Sequence, residues 1–208
     1  MGFEAGAAAP LNYLTSLFAL VRRGQAQPGE VLLVHGAAGG VGAAAIQVGR
    51  ALGLTTIAVT SDERKRAFAA GCGADHAVCG ANWREAVREI VGAAGVDLAL
   101  DPVGGDRLVD SLRLLAPEGR LLVVGFTAGE ISTVKVNLLL LGNIGVLGRP
   151  RASSSNGSRL SWPSCGLTTF TCARPPPWRI RRSRSARLPT RARPCKPSNT
   201  DAASARTY

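Results

Sequence analysis

The sequence predicts an α/β fold, a doubly wound parallel sheet with strand order 3-2-1-4-5-6. Three observations predict it. Short apolar runs alternate with helical patterns between residues 29 and 148. The links between them are short. A glycine-rich turn joins the first apolar run to the helix after it. Right-handed crossovers then place helices on both faces of the sheet.

Each element has its own signal. Residues 10–24 read as an amphipathic helix, with Leu11, Leu14, Phe18 and Val21 at helical spacing and Gly24 as a stop. Pro28-Gly29 marks a turn, so residues 1–28 form a leading helix and linker. Val31 to Val34 is a continuous apolar run, as expected of a strand covered on both faces. A helix follows from about Val41 to Leu52 and ends at Gly53. Thr55 to Thr60 is a second strand, rich in β-branched residues. Ser61 is expected to cap a helix that runs to Ala70. Residues 76–79 form a short third strand, and Asn82 is expected to cap the helix WREAVREIV. Val96 to Leu100 is a fourth strand, Asp106 to Leu115 a helix, Leu121 to Val124 a fifth strand and Ile144 to Leu147 a sixth.

At Arg149 the pattern stops. Residues 149–208 hold 13 Lys and Arg against one acid, Asp201, and eight of the 12 prolines. The net charge of +11 therefore belongs to this stretch, because residues 1–148 carry 12 basic and 13 acidic groups. Two readings stand for this low-complexity Arg/Ser/Pro tail. It is a disordered basic segment that binds nucleic acid, or it is text from a shifted reading frame in a GC-rich gene. The abrupt break just after a buried strand favours the second, so no nucleic-acid partner is expected.

Other classes drop out. No run of about 18 apolar residues exists, so no transmembrane helix or membrane partner is expected. Arg22 and Arg23 follow the first apolar stretch instead of preceding it, which does not suit a secretory signal and leaves the cytoplasm as the expected compartment. The five cysteines show no C-x-x-C spacing, which argues against a zinc site.

The chemistry sits in VLLVHGAAGGVGAAAIQVGRALG, residues 31–53. Ala37 to Gly42 match G-x-G-x-x-G with Ala in the first place. The small first residue permits the tight turn, Gly39 lets the backbone approach a diphosphate, and Gly42 lets the helix pack close to the strand. The helix N-terminus offers free N–H groups and partial positive charge to the phosphates. Residues 29–148 thus read as a dinucleotide-binding domain. The end of the second strand selects the cofactor. No carboxylate stands at the tip Thr60-Ser61, and Lys65 lies nearby, which predicts a 2′-phosphate and hence NADPH. Asp62 keeps open the alternative of NADH, with its carboxylate on a ribose hydroxyl. His35 reads as a core residue before the turn, because no acid or nucleophile is placed with it.

These residues resemble the cofactor-binding half of the medium-chain dehydrogenase/reductase superfamily, in its zinc-free quinone oxidoreductase branch. The resemblance is carried by LNYLTSLFALVRR, QPGEVLLVHGAAGGVG, GCGADHAV, VDLALDPVGGD, LAPEGRLLVVGF and VNLLLLGNIGVLG, in family order and spacing over residues 5–148. It implies a Rossmann fold and a set of cofactor contacts. Thr15 matches a residue near the nicotinamide end. Ala38, Gly39, Gly40 and Val41 match the diphosphate loop. Ser61 and Lys65 match the 2′-phosphate contacts. Asp101, Val103 and Gly104 match the loop beside a ribose, and Gly125 and Phe126 match main-chain contacts near the nicotinamide. Each also has a plainer role: Thr15 back-bonding in its helix, Asp101 capping, Phe126 in the core. Family members often carry Tyr after the third strand to cover the adenine, and Gly80 stands in the matching place.

The resemblance implies hydride transfer from NADPH to a quinone or activated alkene. The substrate would lie against a separate catalytic domain that this sequence does not contain, so the chain is expected to act as a fragment with little or no turnover. No catalytic residue and no metal ligand is assigned. Enoyl-thioester reduction is the alternative within enzymes. A non-catalytic nucleotide-binding module with a nucleic-acid-binding tail is the alternative outside them. The family often dimerises by pairing the sixth strand across a two-fold axis, which residues 144–147 would supply.

Overall fold

The computed structural model describes residues 3–148, with side chains from Pro10 onward. The reading of residues 149–208 as a tail lies outside the described residues.

The chain opens with α1 (Phe3–Leu17), which continues as a π-type helix over Phe18–Arg23. Six strands follow, β1 (Val31–Val34), β2 (Thr55–Thr60), β3 (His76–Cys79), β4 (Val96–Asp101), β5 (Leu115–Val123) and β6 (Gly145–Gly148). Five helices connect them, α2 (Gly40–Ala51), α3 (Glu63–Gly71), α4 (Trp83–Val91), α5 (Arg107–Leu112) and α6 (Val136–Gly142). All strand pairs are parallel and the order is β3-β2-β1-β4-β5-β6, as the alternation of patterns predicts.

Strand geometry divides the core into two layers, because successive side chains point to opposite faces. Leu32, Val34, Ala58, Leu98, Leu100 and Leu122 pack with Leu20 of the leading helix and Ala45, Ile46 and Val48 of α2. Leu33, Ile57, Val59, Ala99 and Leu121 pack with Trp83 and Val87 of α4 and Leu108 and Leu112 of α5. Leu32 to Val34 of β1 and Leu98 to Leu100 of β4 are therefore covered on both faces, which explains why these stretches are apolar without a break.

Several boundaries differ from the sequence reading. α1 starts at Phe3, with Pro10 inside it. Its buried face is Thr15, Ser16, Ala19 and Leu20, whereas Leu11, Leu14 and Val21 of the expected stripe are exposed, Leu11 at 74%. Thr15 and Ser16 go inward where α1 packs closely against the first turn of α2, Leu20 enters the core beyond them, and Phe18 of the stripe is half-buried. α3 is capped by Asp62, whose carboxylate accepts from the Lys65 N–H at 2.9 Å, and not by Ser61. Asn82 precedes α4 but its side chain makes no cap bond. α5 ends at Leu112, three residues early, because Leu115 already pairs with Val96 in the sheet. Residues 136–142, which the sequence reading gives no element, form α6, which ends with Asn143 in the left-handed conformation (φ 48°).

Candidate functional site at the strand tips

The C-terminal ends of β1, β2, β4 and β5 converge on one edge of the domain, where open α/β sheets bind ligands. The turn after β1 is tied to both neighbours. The His35 N–H donates to the Leu100 carbonyl at 3.0 Å, and the Ala37 N–H to the Val59 carbonyl at 3.2 Å. The tight turn itself falls on Gly36 (φ 56°), whose carbonyl accepts from the Gly39 N–H at 2.8 Å. The motif is therefore read as Gly36-x-x-Gly39-x-x-Gly42, and not as a motif whose first place is Ala37. Gly36 needs its positive φ, which L side chains rarely adopt. Gly42 needs the absence of a side chain: a Cβ there would lie 2.3 Å from the Gly36 carbonyl oxygen and 2.8 Å from Ala37 Cα.

α2 begins directly after this turn. Its N-cap, Gly39, offers no side chain, so the first N–H groups of the helix have neither an intrahelical partner nor a cap. Ala38 and Val41 are half-buried, and Gly39 and Gly40 are exposed. This is a cradle of backbone donors with the positive end of a twelve-residue helix behind it. Free N–H groups at a helix N-terminus suit an anionic group such as a phosphate.

The tip of β2 is built differently. Ser61, Asp62 and Lys65 form an exposed triangle. The Lys65 ammonium donates to Ser61 Oγ at 2.7 Å and lies 3.1 Å from Asp62 Oδ2, while Ser61 Oγ donates to the same carboxylate at 3.0 Å. The backbone N–H of Lys65, followed by its side chain, holds the Asp62 carboxyl below its ordinary pKa. Ser61 and Lys65, expected together from sequence, are in contact. Asp62 is the third member, and its carboxylate faces the ammonium.

The β4 and β5 tips form a second wall. Asp101 is fully buried, and its Oδ1 accepts from the Val103 and Gly104 N–H groups at 2.8 and 2.9 Å. Its place is beneath the loop, which it folds. A Cβ at Gly36 would touch Val103 Cγ2 at 3.1 Å, and one at Gly104 would touch Phe126 at 3.0 Å, so the three loops pack in series. Gly125 lies against the Pro102 carbonyl, and the Thr127 and Ala128 N–H groups donate to Pro102 and Val103. Phe126 is 43% exposed, outside the core. Thr15 is buried in α1, and its neighbour Ser16 reaches the Val41 carbonyl at 3.2 Å.

Beneath the turn lies a buried polar group. Ser111 Oγ donates to the Arg107 carbonyl at 2.7 Å, so at 2.7 Å from it His35 Nε2 is the donor. The imidazole meets the Trp83 ring edge-on at 4.7 Å. Burial pushes the His35 pKa down to about 4, against an upward pull from Asp101. The ring is neutral at physiological pH, in keeping with a core role. Among the described residues no group of three His, Cys, Asp or Glu converges as a metal site. No helix of the described residues is long and apolar enough to cross a membrane.

Fold and site together define a Rossmann-type dinucleotide-binding domain. The family described as zinc-binding dehydrogenase matches residues 40–162. The chain is 43% identical over 151 residues to quinone oxidoreductase-like protein 2 of Bos taurus, an alignment that covers 71% of this chain and 43% of that protein. The solved quinone oxidoreductase of Thermus thermophilus, also known as a complex with NADPH, is 38% identical with a TM-score of 0.62, covering 73% of this chain and 48% of that one. The CurK enoyl reductase is 29% identical with a TM-score of 0.65, covering 72% and 45%. The chain belongs to the zinc-binding dehydrogenase family of the medium-chain dehydrogenase/reductase superfamily, and its dinucleotide-binding domain is of the quinone oxidoreductase type. It spans less than half the length of these relatives. The uncapped α2 cradle and the relative known with NADPH support a nicotinamide dinucleotide as cofactor.

Proposed function

We propose that this domain binds NADPH along the strand tips and serves hydride transfer to a quinone or an activated alkene. One observation carries the reading: a side-chain-free α2 N-terminus stands next to a β2 tip that presents Lys65 and Ser61. The N–H groups around Ala38, Gly39, Gly40 and Val41 hold the diphosphate. Lys65 and Ser61 hold the 2′-phosphate. Thr15, Val103, Gly104, Gly125 and Phe126 border the nicotinamide end, with Asp101 setting the shape of the loop. When bound, the reduced nicotinamide supplies the hydride; the protein's part is to orient it and keep water away.

The acceptor needs a second wall. Leu11 and Leu14 of α1 and Phe126 are exposed apolar residues on elements that border the site. They suit a covering domain or chain that completes the acceptor pocket. Resemblance to the CurK enoyl reductase supports an enoyl thioester as the alternative acceptor. β6 stands at the sheet edge with its outer side unpaired among the described residues. It is the surface by which we expect a second copy to pair, with Leu140 and Leu141 of α6 exposed at 80% and 81%.

Fluorescence titration of the purified chain with NADPH and NADH tests the binding, with NADPH expected to bind more tightly. Equal affinities reject the 2′-phosphate assignment. Quinone-dependent NADPH oxidation is expected to be slow. A turnover of about 10 per second, ordinary for enzymes, would show that the acceptor pocket is already complete.

A further inference from the structure

α1 is fixed on the first turn of α2 by polar contacts. Ser16 Oγ lies 2.9 Å from the Asn12 carbonyl and 3.2 Å from the Val41 carbonyl, and the Tyr13 hydroxyl donates to Gln47 at 2.5 Å. One turn before Ser16, the side chain of Asn12 stands beside Gly40. A Cβ built on Gly40 would lie 2.6 Å from Asn12 Nδ2 and 3.1 Å from its Oδ1. The contact puts the Asn12 amide against the first residue of α2, in the turn whose N–H groups have no side-chain cap. The amide is half-buried and makes no hydrogen bond with the described residues. A side-chain amide offers two N–H donors, and these two are open to a ligand. We infer that Asn12 is a cofactor-binding residue supplied by the leading helix, its side-chain N–H donating to the diphosphate held over α2. This rests on the dinucleotide reading above and adds to it a side chain in a cradle otherwise made of backbone.

The role explains Gly40 as well. Any side chain at Gly40 would push the amide away from the anion. An aspartate at position 12 would keep the shape but replace the donor with an acceptor and a like charge.

The test is titration of the full chain with NADPH and with NADH. A hydrogen bond to a charged group predicts a loss of about tenfold for Asn12→Ala and more for Asn12→Asp. The loss should be equal for both dinucleotides, because the diphosphate is common to them, and the melting temperature without cofactor should not change. Gly40→Ala should weaken binding in the natural background and much less in the Asn12→Ala background. Retained affinity in both Asn12 variants overturns the inference alone. So do fully additive losses in the double variant. An unmutated chain that binds neither dinucleotide overturns the functional reading and this inference with it.

Discussion

The two ends of the strand-tip site are built in opposite ways. At the β1 end the surface is mainly backbone: Gly36 turns the chain, Gly39 leaves the α2 N-terminus uncapped, and Gly42 lets helix and turn meet, with the Asn12 side chain beside Gly40. Buried His35 and Ser111 lie beneath it. At the β2 end the surface is side chain: Ser61, Asp62 and Lys65 are exposed and held mainly by one another. An exposed ion pair of this kind contributes little to stability and weakens with salt. The first end can set affinity, since its donors are preorganised by the fold. The second can set specificity, since its groups rearrange at small cost to the fold.

The strongest way to break the comparison is Gly42→Val. A β-branched side chain cannot fit 2.3 Å from the Gly36 oxygen, so turn and helix must separate. We expect a stability loss of ~3 kcal/mol or more, and no dinucleotide binding. Chemical denaturation and titration check both. Wild-type affinity in this variant would show that the turn is not the anchor.

Acid should also act at the buried end. The folded His35 pKa of about 4 lies below its ordinary value of 6.5, so the unfolded chain binds the extra proton first. Stability is full above about pH 6.5 and is lost as pH falls toward about 4, by roughly 3 kcal/mol at most. Burial also lowers the His76 pKa, which adds a slope of the same sign. Denaturation between pH 7 and 4 should show the loss, and His35→Gln should flatten most of it. An unchanged slope in that variant would place the acid sensitivity elsewhere.

The smallest effects belong to the exposed end, and they should be selective. Lys65→Ala is expected to weaken NADPH about tenfold and leave NADH nearly unchanged. Asp62→Asn keeps an acceptor for the α3 cap while freeing the ammonium. It should tighten NADPH about twofold, more at low salt. Equal effects of Lys65→Ala on the two cofactors would mean that the β2 tip does not discriminate between them.

How much is legible in the sequence follows the same division. β1, the glycine turn and α2 are contiguous, so their order and spacing carry the reading, down to the need for a glycine at residue 42. The spacing places the turn's first residue one position late, because Ala37 fits G-x-G-x-x-G while only the backbone reveals Gly36 at φ 56°. Sequence alone favours Ser61 as the cap of α3, since serine and aspartate are both good caps; the 2.9 Å bond from the Lys65 N–H decides for Asp62. The buried face of α1 is not legible. Leu11, Leu14 and Val21 of its expected stripe point outward and Phe18 is half-buried, because the inner face must approach α2 closely and carries Ser16 and Ala19 instead. Asn12 gives no sequence signal, as its neighbour Gly40 lies 28 positions away along the chain.

By itself the sequence determined the parallel sheet, its strand order and the dinucleotide turn. Those depend on local periodicity and on residues close together in the chain. Only the tertiary structure decided which side of α1 faces inward, that Asp62 engages Lys65, that buried Asp101 shapes its loop, and that the Asn12 amide lies beside Gly40. These are packing relations between separate elements, and one-dimensional patterns do not encode which surfaces meet.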